Sequence, residues 1–118
     1  MNDDRTPLRM ILDQELAVHR ELLAIARLRH RLLREGRFGG LYALRVAELA
    51  RLSTLRRLEA ARAPLEAAET AEVREIAPRI AAIIRQLGRV ERANQALLVR
   101  HMVRARHPDD GVAVWTPL

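Results

Sequence analysis

Val73, Ile76, Ile80, Ile83, Leu87, Val90, Asn94, Leu97 and His101 recur at alternating steps of three and four residues. Such a series stays on one face only in a helix, and a stripe this long has to lie against another helix. The one amide in it, Asn94, would weaken an apolar seam while selecting its register and partner. The alternative is an amide at the solvent edge. A chain with this stripe is expected to hold helices side by side.

The rest of the sequence points the same way. Half of the 118 residues are Leu, Ala or Arg, all strong helix formers. Phe38, Tyr42 and Trp115 are the only aromatics, so narrow helix seams suit this chain better than a walled pocket. The expected fold is all-α: a long antiparallel helical hairpin with a third helix packed along it, a three-helix, coiled-coil-like bundle in a single domain.

After an N-terminal tail over 1–6, the first helix is expected over 7–35. Thr6 caps it, Pro7 takes its first position, and Gly36 ends it in the left-handed conformation. Leu8, Ile11, Leu12, Leu16, His19, Leu22, Leu23, Ala26, His30 and Leu33 share its apolar face. The only glycine cluster, Gly36 to Gly40, marks the hairpin link. A second helix follows over 41–62, with apolar positions at Leu41, Leu44, Leu49, Leu52, Leu55, Leu58 and Leu65. Its steps of three drift around the helix, so a wider apolar face is expected there.

Pro64 interrupts, because proline lacks an N–H and disfavours helical geometry in the residue before it. The stretch 63–77 reads as a connector or a loosely packed helix, and the third helix as 78–106. Pro78 is either in its first turn or a kink within it. Asp109-Asp110-Gly111 is a turn signal, and 107–118 is a C-terminal tail.

Chemistry is hard to find. The absence of cysteine excludes disulfides, thiolate metal sites and cysteine nucleophiles. His19 and His30 share a face but lie roughly 16 Å apart along a helix, without acidic companions at ligand spacing. His101 and His107 fall near a helix C-terminus, where the dipole favours a positive charge. Glu72 and Glu75 are neighbours on a helix, but Glu75 with Arg79 makes an ordinary i,i+4 ion pair. Ser53, the only serine, has no base at helical spacing. Neither catalysis, a cofactor nor a metal is expected.

All 21 basic side chains are Arg, and the excess charge is spread over the whole chain. Nucleic-acid binders concentrate their cations on a stripe or arm, so specific nucleic-acid binding is not expected. The polar start MNDDRTPLR is no secretory signal, and no uncharged apolar run is long enough to cross a bilayer. A soluble intracellular protein without transmembrane insertion is expected.

Two adjacent pairs in the third helix, Ile83-Ile84 and Leu97-Leu98, exceed what one narrow seam needs, and Met102 extends the surplus. The second member of each pair either faces a guest helix or packs on both hairpin helices or on a second copy. Trp115 is a candidate anchor, or it tucks over the bundle end. The candidate partner-binding residues are therefore Ile83, Ile84, Leu87, Val90, Asn94, Leu97, Leu98, Met102 and Trp115.

Leu8-Arg9 and Ile11-Leu12-Asp13 faintly resemble the opening of the all-α chorismate mutases, but the chain has no lysine to match that family's essential one. A second resemblance covers roughly 8–106. It rests on the link Arg34-Glu35-Gly36-Arg37-Phe38-Gly39-Gly40-Leu41 and the second-helix end Leu58-Glu59-Ala60-Ala61-Arg62-Ala63-Pro64-Leu65. The third part is Arg92-Ala93-Asn94-Gln95-Ala96-Leu97-Leu98 in the last helix. In this layout the chain resembles the FlgN-like flagellar export chaperones. That family often has two asparagines three residues apart, and Glu91 stands at the first position here. The resemblance implies a cytoplasmic chaperone that binds helical termini of unassembled hook–filament junction proteins and delivers them to the export gate. The competing expectation is a homodimeric structural helix-bundle or adaptor module without export cargo.

Overall fold

The structure is a computed structural model that describes residues 6–65 and 71–106. Three helices run over Pro7–Arg34 (α1), Leu41–Arg62 (α2) and Ala71–Arg106 (α3). Short 3-10 turns lie at Phe38–Gly40 and Ala63–Leu65, and there is no strand among the described residues. The fold is the expected all-α bundle.

Both ends of α1 follow from local chemistry. Thr6 accepts the Arg9 backbone N–H at 3.0 Å, a side-chain N-cap, and Pro7 follows in the first turn. At the other end Arg37 N–H reaches the Leu32 carbonyl at 2.8 Å and Gly36 N–H the Leu33 carbonyl at 3.2 Å. This is a Schellman closure, and it puts Gly36 at φ 68°, where a Cβ is strained.

Helix α2 runs antiparallel to α1. Its ion pairs step back along α1 as it advances: Glu48 with Arg29 at 3.0 Å, Arg51 with Glu21 at 2.7 Å, Arg62 with Glu15 at 2.6 Å. After the second reversal α3 runs parallel to α1. Thr6 meets Glu72, Arg9 meets Glu75, Ala26 meets Asn94 and Leu33 meets His101. The last two pairs are both 68 residues apart, one heptad on from one another, so over this stretch the two ladders run side by side in one register.

Two clusters fill the seam. Leu8, Leu12 and Leu16 surround Ile76, with Val73, Ile80 and Ile83 against them. Val18, Leu22 and Leu55 form the second, with Leu52, Leu58 and Leu87. Here all three helices meet. Elsewhere α1 is the central element, and α2 and α3 pack mainly on it.

Two expectations need correction. The third helix begins at Ala71, not at 78, and Pro78 lies inside it. Pro78 is exposed, so the carbonyl it leaves without a helical donor is on the solvent side, whereas the turn before it carries Ile76, fully buried against α1. Burying Ile76 contributes about 1.5–3 kcal/mol, comparable to the roughly 3 kcal/mol an interior proline costs. The second correction is Leu49 and Leu65, expected on the apolar face of the second helix, which are 48% and 44% exposed. The drift carries Leu49 out of the seam, while Glu48 and Arg51 beside it face α1 as ion pairs. The first helix ends at Arg34, with Glu35 as its cap. Residues 66–70 of the expected connector and the tail with His107, Asp109 and Trp115 lie outside the described residues.

Candidate partner-binding surface

The structure divides the predicted site residues between two faces of α3. Ile83 packs on the first core cluster and Leu87 on the second. Val90 and Leu97 are half-buried, and Asn94 is buried. These five belong to the internal ladder. Ile84, Leu98 and Met102 are on the outside, 48%, 37% and 61% exposed. In each adjacent pair the first residue faces inward and the second is left uncovered by the described chain.

Asn94 is the polar lock of the seam. Its Nδ2 donates to the Ala26 carbonyl at 3.0 Å. That orientation makes Oδ1 the acceptor for His30 Nδ1–H at 2.9 Å. Both bonds exist only in this register. His101 plays a related part. Its Nε2 donates to the Leu33 carbonyl at 2.6 Å, so it closes the end of α1 rather than serving only its own helix terminus. Its ring meets Phe38 edge-on at 4.9 Å, which ties the hairpin link to α3.

Between α2 and α3, above α1, lies an open cleft of about 460 Å³. Leu33, Leu41, Gln95 and Leu98 line it beside Arg29, Glu48 and Glu91. Arg29 bridges the three helices: its guanidinium reaches Glu48 at 3.0 Å and Glu91 at 3.3 Å. Arg45 adds a bond to Glu48 at 2.8 Å. These charges are mutually satisfied, so the cleft offers no free acid or base in a catalytic arrangement. Among the described residues no three His, Cys, Asp or Glu side chains cluster to hold a metal. No helix there is long and apolar enough to cross a membrane.

Sequence reasoning missed several exposed residues. Val99 and Val103, 46% and 50% exposed, extend the outer face of α3. The adjacent-pair pattern signals them too, as Leu98-Val99 and Met102-Val103. On α2, Tyr42, Val46 and Leu49 form an exposed stripe at steps of four and three. It was masked by the stronger leucine series on the same helix.

No protein-family model, no curated protein and no solved structure matches this chain.

Proposed function

We propose that this protein is a helical chaperone of the FlgN-like kind, acting in the cytoplasm. It holds the helical terminal segment of an unassembled hook–filament junction protein and carries it to the export gate. The observation that carries the reading is the outer column of α3: Ile84, Leu98, Val99, Met102 and Val103 are exposed on a helix whose opposite face is already engaged with α1. An amphipathic guest helix recognises such a column through its own i, i+3, i+4 and i+7 apolar anchors. Covering it removes both surfaces from water at about 25 cal/mol per Å². The guest is thereby kept from self-association.

The test is titration calorimetry of the full chain against a recombinant C-terminal helical segment of a hook–filament junction protein. Val99→Asp with Met102→Asp is expected to weaken binding by about tenfold or more. Both side chains are exposed, so the melting temperature stays near that of the parent. No binding by the parent chain sinks the chaperone reading. Sedimentation as a dimer that these substitutions dissolve assigns the column to a second copy and supports the homodimeric module instead.

A further inference from the structure

The fold brings several exposed cations together on one part of the surface. Several carboxylates of α1 and α3 are consumed by pairs elsewhere: Glu15 with Arg62, Glu21 with Arg51, Glu91 with Arg29. Arg20, Arg27, Arg31 and Arg34 of α1 and Arg89 and Arg100 of α3 are exposed and have no ion pair among the described residues. Two adjoining clefts gather four of them. One, about 240 Å³, is lined by Arg27, His30, Arg89, Val90 and Ala93. The other, about 440 Å³, is lined by Arg27, His30, Arg31, Arg34 and Glu35. They share Arg27 and His30: the first lies on the α1/α3 seam, on the flank of α3 away from α2, and the second continues from it over the C-terminal turns of α1, so the two form one groove. Its one carboxylate, Glu35, is already paired with Arg37.

We propose that this groove docks an acidic amphipathic helix of a partner protein. Three features select that occupant. First, Arg27 and Arg34, which line the groove, stand seven residues apart on α1, and Arg20 continues their column one heptad before it, outside the clefts. That is roughly 10.5 Å per step on a helix, the spacing at which a heptad-patterned guest repeats its own carboxylates. Second, the floor at Val90 and Ala93 is apolar, and the small Ala93 lets another helix approach to the usual 8–10 Å interaxial distance. Third, α1 and α3 are parallel and in register, so the groove is straight over this stretch. A phosphodiester backbone has no use for an apolar floor, and no Phe, Tyr or Trp lines either cleft as a platform for base stacking. His30 is held in the groove by its Nδ1–H bond to Asn94, with Nε2 as its remaining polar atom. The inference does not depend on the chaperone reading, which uses the other flank of α3.

The experiment measures fluorescence anisotropy with the full chain and a labelled synthetic peptide of about three heptads, Leu on one face and Glu flanking it. A scrambled peptide of the same composition and a short DNA duplex are run beside it at about 150 mM salt. The heptad peptide is expected to bind more tightly than either. Arg27→Glu with Arg89→Glu weakens it by about tenfold or more. Arg56→Glu with Arg74→Glu has the same net charge change outside the groove and shifts the affinity by no more than about threefold. Arg27→Gln with Arg89→Gln repeats the test without charge reversal, and circular dichroism checks every fold. Equal binding of the scrambled peptide or the duplex overturns the proposal in favour of a general polyanion surface. So does an equal loss in the control pair, or no binding of the heptad peptide.

Discussion

Replacing Arg62 by Met strands the Glu15 carboxylate inside the contact of α1 with α2. Glu15 has a side chain only 4% exposed, and Arg62 Nε meets its Oε2 at 2.6 Å. The Arg62 side chain is 24% exposed, so its stem leads toward water. The two halves of this pair are therefore unequal. Removing the cation leaves a buried anion without its partner, which costs about 3–5 kcal/mol. At roughly 4 °C or more per kcal/mol for a domain near this size, Arg62→Met lowers Tm by at least about 12 °C. Removing the anion instead lets Arg62 swing outward. Glu15→Leu also adds an apolar group to the ladder between Leu12 and His19, and its burial contributes about 1.5–3 kcal/mol against the lost pair. Glu15→Leu is expected within about 1 kcal/mol of the parent, and the double substitution should recover most of the loss of Arg62→Met. Arg62→Lys, which keeps a cation, separates the charge from the other contacts of this side chain. Urea unfolding of the four chains closes a double-mutant cycle. A loss under about 1 kcal/mol in Arg62→Met, or equal losses in both single variants, refutes the reasoning.

Asn94→Ala removes the bonds to Ala26 and His30 and a longer one to Glu91, and leaves a void in the seam. It should lose about 2–3 kcal/mol in urea unfolding, and a loss under about 0.5 kcal/mol denies Asn94 its locking role. His19 is buried, with Nδ1–H on the Glu15 carbonyl at 2.9 Å, and burial holds its imidazole below the ordinary 6.5. The unfolded chain therefore takes up this proton first. The contribution of His19 to stability is present above pH 6.5 and lost as pH falls below it. The urea midpoint should drop between about pH 7.5 and pH 5.5, and less steeply in His19→Gln. Gly36→Ala meets no atom within 4 Å of the new Cβ, so only the positive φ opposes it. A Tm decrease equivalent to about 1–2 kcal/mol is expected, and an unchanged Tm places the strain elsewhere.

Much of this architecture was written locally. Thr6-Pro7 and Gly36 bound α1 because caps depend on groups within a few residues of one another. The ladder from Val73 to His101 was readable because a period near 3.5 leaves its trace whatever the partner. Pro78 misled because its local cost is visible in the sequence and the burial of Ile76 against Leu8 and Leu12 is not. Glu15 escaped notice for the same reason. A carboxylate inside an apolar series reads as an interruption until Arg62, 47 residues on, is brought against it. Of the candidate surface, the surplus in Ile83-Ile84 and Leu97-Leu98 was legible, but not which member faced α1.

Charge shows the division most clearly. Along the chain the seven-residue spacing of Arg20, Arg27 and Arg34 is visible, but a net excess of +6 does not say which Arg are left unpaired. In the folded molecule Glu15, Glu21 and Glu91 turn to partners 30 or more residues away, and one flank of the α1/α3 seam is left basic. The sequence by itself determined that the chain is helical, where α1 and α2 begin and end, and which stripe of α3 is apolar. All of these rest on neighbours three, four or seven residues apart. The direction and register of helix pairing, the burial of Glu15 and Asn94, and the surfaces left for a partner were decided only in the tertiary structure. They depend on contacts that two chain reversals bring together, and separations near 68 residues leave no local periodicity to read.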